Sequence, residues 1–339
     1  MSVPGNASAS PTTPALTNPK RLAYYPGCSQ SGTAAEYDIS TRACCAELGL
    51  ELVDVPDWTC CGSTPAHTVD HHLAGALAAR NLRQAEATGC ERVATPCPSC
   101  LAALRTAGHH LHQEAYRAEV EHLLGGPAPQ ESTAISVLQA LVENIGPEAI
   151  AAAVKKPLTG LRVAPYYGCI MNRPPELLAF DDPENPTAMD RILAACGATV
   201  VAYPFKTECC GAAFGMPRLD VMQRLSARLL AMAEECGADV VVVACPLCQM
   251  NLDLRRGQVN SAAKADYRMP VPYFTQLLGL ALGLPESALG LDKLVLDLRP
   301  ALARAEERER KRAEESAAKN GAKPCKPGDA SHKEDAPCA

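Results

Sequence analysis

Cysteine is the residue type whose number and spacing point to chemistry in this sequence. Seventeen of the 339 residues are cysteines. Ten of them form two groups with the same order: a single cysteine, a double cysteine followed by glycine, and a Cys-Pro-x-Cys pair. The first group is Cys28, Cys60, Cys61, Cys97 and Cys100, and the second group is Cys169, Cys209, Cys210, Cys245 and Cys248. Because thiolates are good ligands for zinc and iron, the two groups predict two metal sites.

Each part of the pattern suits metal binding. A Cys-x-x-Cys pair that opens a helix can place two thiolates on one centre, and the helix N-terminus lowers their pKa. Pro98 and Pro246 suit the first helical turn, because they have no N–H to donate. Gly62 and Gly211 allow a positive φ and a close backbone approach, so that N–H groups can hydrogen-bond to sulfur. We expect each double cysteine to lie in a loop that turns both side chains inward.

The cysteine spacing leaves the identity of the metal open. A tetrahedral zinc ion or a cubane [4Fe–4S] cluster takes four thiolates. Each group has five, which leaves one thiolate to bridge metals or to engage a sulfur atom of a substrate. A zinc-stabilised scaffold and a redox site built on iron–sulfur clusters are therefore both open interpretations.

The segments around the cysteines occur twice, in the same order. RLAYYPGCS at 21–29 matches LRVAPYYGCI at 161–170, and VATPCPSCL at 93–101 matches VVACPLCQM at 242–250. Such a repeat with a nearly constant offset marks a duplicated domain. The first copy predicts strands at 22–25, 51–53 and 92–95 and helices at 33–48 and 70–88, and the second predicts strands at 161–166, 198–203 and 239–244 and helices at 186–196 and 218–236.

This alternation predicts an α/β fold of two pseudo-repeated Rossmann-like domains with parallel sheets, each with a cysteine-rich site at the carboxyl ends of its strands. Residues 102–155 between the two copies look mainly helical. We predict a disordered extension at 1–20, one domain with a helical connector at 21–155, a second domain at 156–290, and a charged tail at 291–339 that is partly helical or disordered.

Charge and hydropathy exclude several classes of function. The formal net charge is −6 with no large basic block, which argues against nucleic acid as a partner. The longest aliphatic run, Val240–Ala244, is too short to cross a bilayer. No secretory signal is visible at the N-terminus, so we expect a cytoplasmic protein whose cysteines bind metal rather than form disulfides.

The duplicated cysteine pattern resembles the cysteine-rich CCG domain family, and within it the B-type subunits of heterodisulfide reductases. The resemblance covers about residues 21–285. It implies that each group of five cysteines binds a noncubane [4Fe–4S] cluster, and that the two clusters split a disulfide between them by one-electron chemistry. Gly62 and Gly211 would approach the clusters.

The resemblance also implies partners. The chain has no ferredoxin-type cysteine run and no flavin or nucleotide signature, so electrons must come from other polypeptides. We expect two partner subunits of the same complex, one of ferredoxin type and one that bears a flavin. The alternative is an electron-transfer subunit of a flavin-dependent 2-hydroxyacid or glycerol-3-phosphate dehydrogenase, although such relatives often carry fused ferredoxin motifs.

One position departs from the methanogen pattern. The histidine that follows the first cysteine of the second copy there is Ile170 here, and an aliphatic side chain carries no proton. We therefore expect a bacterial relative that acts on another disulfide, with a small sulfur-carrier protein as the first candidate. Arg173 and Lys206 flank the second group and could attract an anionic thiol substrate.

We expect the remaining cysteines and a cluster of histidines to have structural roles rather than to bind metal. Cys90, Cys196 and Cys236 end predicted helices, and the pair Cys44–Cys45 lies within one, so we expect them to pack as small apolar residues. Cys325 and Cys338 lie in the tail without a partner motif. His109, His110 and His112 are interpreted as a solvated helix end, because no carboxylate or cysteine motif frames them.

Overall fold

The computed structural model describes residues 20–63, 65–130, 132–178 and 180–321. They form two parallel sheets with helices between the strands, which confirms the predicted α/β fold. The strand order is β2-β1-β3-β4 in the first sheet and β6-β5-β7 in the second. The strands are β1 Arg21–Tyr24, β2 Glu51–Asp54, β3 Arg92–Thr95, β4 Thr133–Ser136, β5 Arg162–Tyr166, β6 Thr199–Val200 and β7 Val240–Val243.

The helices alternate with the strands along most of the chain. Asp70 begins one of the longer helices by accepting the N–H groups of His72 and Leu73. The α-helices are α1 Ala35–Glu47, α2 Pro65–Val69, α3 His71–Glu86, α4 Pro98–His110, α5 Glu114–Leu124, α6 Val137–Asn144, α7 Pro147–Ala153, α8 Pro175–Leu178, α9 Ala188–Ala195, α10 Leu219–Glu235, α11 Pro246–Gln249, α12 Arg256–Ala263, α13 Phe274–Ala281 and α14 Arg299–Gly321. A π-helical turn at Met250–Leu254 follows α11. Among the described helices, none combines the length and the apolar character that crossing a bilayer requires.

The two sheets repeat one arrangement, which confirms the predicted pseudo-repeat. β1 lies between β2 and β3, and β5 lies in the same way between β6 and β7. Leu22 pairs with Leu52 in the first sheet, and Val163 pairs with Val200 in the second. Each sheet therefore presents three neighbouring strand ends at one edge.

Two strand predictions need correction. The stretch 102–155 is mainly helical, but it also contains β4, whose Ile135 pairs with Ala94 of β3. Four residues are too few to show alternation, and β4 runs directly into α6, so the sequence shows no separate strand signal there. The strand predicted at 198–203 is reduced to the two residues of β6, because a tight turn from the Tyr203 N–H to the Val201 carbonyl replaces the ladder.

The two halves share one apolar core across their contact. Helix α1 of the first half packs on α13 of the second half, where Ser40 Oγ lies 2.7 Å from Thr275 Oγ1. Cys44 is fully buried in this contact and its thiol donates to the Thr275 carbonyl at 3.1 Å. Cys44 therefore packs the contact between the halves, as its place within a helix predicts.

The charged tail begins as a packed helix. Ala301 and Ala305 of α14 are buried, and the Arg308 guanidinium pairs with Asp239 at 2.9 Å and 3.0 Å. Packing of the second half thus continues beyond residue 290. Most of the predicted N-terminal extension, together with Cys325 and Cys338, lies outside the described residues.

Candidate metal centres

The ten cysteines lie just beyond the carboxyl ends of the strands. In each half, the single cysteine follows the central strand, the double cysteine follows one neighbouring strand, and the Cys-Pro-x-Cys pair follows the other. Cys97 and Cys245 are the last extended residues before α4 and α11, and a proline occupies the first helical turn in both cases. Because parallel strands end at one edge of the sheet, the fold brings each group of five together.

In the first half, the thiols of three cysteines lie buried together. Cys61, Cys97 and Cys100 are 3% to 4% exposed. A hydrogen bond from the Cys100 thiol lowers the pKa of Cys61 to about 7 and also lowers the pKa of Cys97. The Gly62 N–H lies 3.5 Å from Cys60 Sγ. Hydrogen bonds to sulfur favour the thiolate, which is the form that binds metal.

The second half repeats these contacts with one addition. Cys210 Sγ lies 3.7 Å from Cys248 Sγ, and the Gly211 N–H lies 3.2 Å from Cys209 Sγ. A hydrogen bond from the Cys169 thiol lowers the pKa of Cys209 to about 6. The Asn251 amide also lies 3.5 Å from Cys210 Sγ, and it donates to the Cys210 carbonyl at 3.2 Å.

Each double cysteine has one buried and one more open side chain. Cys61 and Cys210 are 3% and 1% exposed, whereas Cys60 is exposed and Cys209 is half-buried. The buried member of each pair turns inward as expected. The other member lies nearer to solvent but still contacts a thiol of its group, Cys60 with Cys61 and Cys209 with Cys169.

Four glycines make room for the cysteine loops. Gly62 and Gly211 have φ values of +80° and +81°, and an added Cβ would lie 2.9 Å from the Ala74 carbonyl oxygen and 2.8 Å from Met222 Cα. Both residues therefore have the left-handed backbone and close helix contact that the sequence suggests for them.

The other two glycines precede the single cysteines, and the sequence reasoning missed them. Gly27 and Gly168 both have a φ of +77°. An added Cβ would lie 3.1 Å from Cys100 Sγ and 3.0 Å from Cys248 Sγ, respectively. The repeated Gly-Cys at the start of each group was the available signal. Because these two glycines have no side chain, they leave space for the neighbouring sulfur atom.

A tyrosine at the carboxyl end of each central strand holds the double-cysteine loop. Tyr25 donates its hydroxyl to the Thr59 carbonyl at 2.8 Å, and Tyr166 donates to the Glu208 carbonyl at 2.7 Å. Burial and the nearby thiols raise the pKa of both phenols, so they stay neutral donors. The sequence reasoning missed these residues as well, although both copies carry a tyrosine three residues before the single cysteine.

A stacked tyrosine pair lies in the contact between the two groups. The rings of Tyr37 and Tyr273 are parallel within 8° and 4.1 Å apart, and both residues are buried. The Tyr37 hydroxyl donates at 3.3 Å to the carbonyl of Ala244, next to Cys245. Burial raises the pKa of Tyr37, and the thiolates of Cys245 and Cys97 raise it further, so both groups lie in its surroundings.

The two predicted substrate cations have partners inside the second half. Lys206 Nζ pairs with Asp190 at 2.5 Å and donates to a backbone carbonyl. Arg173 pairs with Glu184 at 2.7 Å and donates to Thr207 Oγ1 at 3.0 Å. These contacts account for both side chains as supports of the loops around the second group.

A cavity of about 630 Å³ lies beside the first group. Cys61 and Gly62 line it from the first half, and Ile170 lines it from the second half. Four histidines also line it: His67, His71, His72 and His110. Thus His110 belongs to this cavity, whereas His109 and His112 line a separate one. The sequence reasoning missed the histidines of α2 and α3, for which the available signal was their place just after the double cysteine.

The donor set fits iron–sulfur clusters. Each half offers five thiols, with backbone N–H groups directed at sulfur, and cysteine thiolates are the usual ligands of such clusters. In the part of the chain that the structure describes, no three His, Cys, Asp or Glu side chains are arranged to hold one metal ion.

Comparison with known proteins agrees with this geometry. The family model for the CCG cysteine-rich domain matches residues 22–105 and 163–253. The chain is 36% identical over 280 residues to the 8-methylmenaquinol:fumarate reductase membrane anchor subunit of Wolinella succinogenes, and the match covers 82% of this chain and 98% of the relative.

Two further relatives carry the name that the sequence reasoning expected. The B subunit of a ferredoxin/F420H2-dependent CoB-CoM heterodisulfide reductase of Methanosarcina acetivorans is 29% identical over 80% of this chain and 93% of its own length. A protein of Archaeoglobus profundus that is named as similar to the B subunit of heterodisulfide reductase is 29% identical over 78% of this chain and 92% of its own length.

A solved structure shares the fold. The crystal structure of a hypothetical protein from Helicobacter pylori superposes with a TM-score of 0.66 at 14% identity over 82% of this chain. This chain spans about half of that one, 52%.

Proposed function

This chain belongs to the cysteine-rich CCG domain family, and we propose that it is the iron–sulfur subunit of a multi-subunit oxidoreductase. The observation that carries the proposal is the duplicated set of five thiols at equivalent strand ends. Such clusters, when bound, take up and release single electrons. Cys28, Cys60, Cys61, Cys97 and Cys100 would hold one noncubane [4Fe–4S] cluster, and Cys169, Cys209, Cys210, Cys245 and Cys248 would hold the other.

The chain's own residues prepare both sites. The N–H groups of Gly62 and Gly211 stabilise negative charge on Cys60 and Cys209. Asn251 does the same for Cys210, in the second half alone. The stacked tyrosines between the groups exclude water from that space, because both rings are fully packed.

The first reaction that we propose is the reduction or formation of a disulfide between two thiol carriers. A disulfide takes two electrons and two protons, and two one-electron sites that face one substrate can supply the electrons singly. The relatives named for the B subunit of heterodisulfide reductase support this reaction. The resemblance leads us to propose a ferredoxin-type partner and a flavin-bearing partner. Ile170, which departs from the methanogen pattern, leads us to propose a small sulfur-carrier protein as substrate.

A second candidate function is electron transfer to or from a quinone in a fumarate reductase-like complex. The relative at 36% identity, which this chain covers almost completely, supports it. Ile170 supports it too, since the histidine of the methanogen pattern is absent. Like the alternative that the sequence suggests, this candidate is an electron-transfer subunit. It differs in its substrates, which would be fumarate and menaquinol instead of a 2-hydroxyacid or glycerol 3-phosphate.

We place the protein in the cytoplasm as part of the same proposal. The 15 cysteines in the described part of the chain all have free thiols, and a reducing compartment keeps thiols available for metal.

The experiment that tests the proposed function compares the two acceptors on one preparation. The chain is purified anaerobically with its clusters, reduced with viologen, and mixed in turn with hydroxyethyl disulfide and dimethylnaphthoquinone. We expect reoxidation of the viologen by one of them at a rate well above that of the acceptor mixed with viologen alone. Iron-loaded protein that speeds neither reaction would contradict the proposal.

A further inference from the structure

We propose that the histidine-lined cavity beside the first cysteine group binds a two-electron, two-proton acceptor, and that its histidines deliver the protons. The inference rests on the proposed function, because the electrons must arrive through this subunit. It goes beyond that function by naming a site and the residues that act there. Disulfides and quinones share this chemistry.

The position of the cavity is the first argument. Cys61, Gly62 and Ser63 line it from the first half, and Ile170, next to Cys169, lines it from the second. A ligand in this space would therefore lie beside one cysteine group and within reach of the other. A volume of about 630 Å³ is within the range that accommodates small organic ligands.

The second argument is the supply of protons. Ile170 has none to give, so a two-proton reduction at this place needs other donors. The ring centroids of His67 and His71 lie 4.6 Å apart, which makes them a pair on the same wall. Histidine is the side chain that gains and loses a proton most readily near neutral pH. The two side chains can therefore pass on, one after the other, the two protons that one turnover takes.

Another part of the lining is built around Tyr116. Its ring lies 5.5 Å from that of His72 and 5.3 Å from that of His110, so the phenol sits between two further histidines. Gly75 makes this possible, because an added Cβ there would lie 1.8 Å from the Tyr116 hydroxyl oxygen. Ala103 of α4 adds a small side chain to the lining, which leaves space for a ligand.

The chemistry balances without a further reactant. The acceptor gains two electrons, which pass singly through the subunit from reduced viologen or from the physiological donor. In a disulfide the S–S bond breaks and two S–H bonds form; in a quinone the two carbonyl oxygens become hydroxyls. The two protons pass to the acceptor one after the other through His67 and His71, and each histidine is reprotonated from water. General acids of this kind contribute about 10²–10⁴ to a rate.

The first test is a histidine footprint that needs no turnover. The cluster-loaded chain is treated with diethyl pyrocarbonate, alone and with dimethylnaphthoquinone or hydroxyethyl disulfide, and its peptides are analysed by mass spectrometry. We expect one acceptor to protect His67, His71 and His110, while His109 and His122 react unchanged as internal controls. The protecting acceptor identifies the ligand class. Equal labelling of the cavity histidines with and without both acceptors would overturn the proposal.

The second test uses matched variants. In the double variant His67→Gln, His71→Gln, we expect viologen-driven reduction of the protecting acceptor to fall about 100-fold, with iron content and the paramagnetic resonance spectrum unchanged. His109→Gln, from the same helix as His110 but outside the cavity, should keep the full rate. Normal turnover in the double variant would refute the assignment. Failure of the proposed function would look different, because the unmodified protein would then lack iron or turnover.

Discussion

The two halves share a cysteine frame and differ in what surrounds it. Gly27 and Gly168 have the same φ, and Tyr25 and Tyr166 hold equivalent loops. After the double cysteine, however, the first half continues into α2 and α3 with three histidines. The second half continues into a short 3₁₀ turn at Ala212–Phe214, and no histidine occurs between residues 123 and 331.

This difference indicates that the two halves have different roles. The proposed function needs the thiol frame twice, because two electrons would pass singly. The proposed reaction needs proton donors only where the acceptor binds, and four histidines line the cavity beside the first group. The second half instead adds the buried Asn251 amide next to Cys210, which stabilises its thiolate. We infer that the first half binds the acceptor and that the second half is the more enclosed electron site.

Replacing one buried cysteine should give the largest difference between the two halves, measured as loss of one cluster. In Cys61→Ser we expect loss of the first cluster with the second retained, and in Cys210→Ser the converse, because each residue contacts only its own group. Iron analysis and paramagnetic resonance spectra of each variant measure this. Cys236→Ser, outside both groups, is the control and should bind the full amount of iron. Unchanged iron in both variants would show that the two cysteines are not ligands.

The next largest effect should be the loss of stability caused by adding a methyl group to the loop glycines. Gly62→Ala and Gly211→Ala place a Cβ within 2.9 Å and 2.8 Å of a neighbouring helix backbone at a positive φ. We expect each to lower the free energy of unfolding by about 3 kcal/mol, measured by urea denaturation. The control Gly89→Ala has a φ of +70° but open space around it, and should cost about 1 kcal/mol. Equal losses at all three positions would show that backbone strain alone matters.

The cysteine frame can be predicted from sequence patterns, because it depends on features that lie close together along the chain. The strands around the cysteines are short apolar runs, and the prolines and glycines of the loops lie next to the thiols they serve. The features that were missed depend on residues distant in the sequence. Tyr37 and Tyr273 stack only because α1 packs on the second half, and Tyr116 reaches His72 because Gly75 leaves room. A cation that flanks a cysteine in sequence, such as Lys206, can face an internal carboxylate instead.

The smallest expected effect on stability concerns the contact of helix α14 with Asp239 in the second half. Burial raises the pKa of Asp239, but hydrogen bonds from Arg308 and from the Arg162 N–H outweigh it and hold that pKa below its usual value. A depressed pKa stabilises the fold above the carboxyl's unfolded pKa, near 3.9, and the contribution is lost as the pH falls through the folded value.

Arg308→Gln tests this contact. Because the guanidinium is one-third exposed, we expect a loss of less than about 1 kcal/mol at neutral pH, which shrinks in acid. Denaturation at several pH values measures it, with Arg310→Gln, an exposed residue paired within α14, as the control. A difference between Arg308→Gln and the unmodified protein that grows in acid would contradict the sign.

The central claim is that each half holds its own iron–sulfur cluster. The most direct measurement is the iron, acid-labile sulfide and zinc content of the anaerobically purified chain. Two [4Fe–4S] clusters predict about eight iron and about eight sulfide per chain. Zinc without labile sulfide, or iron for a single cluster, would contradict the account.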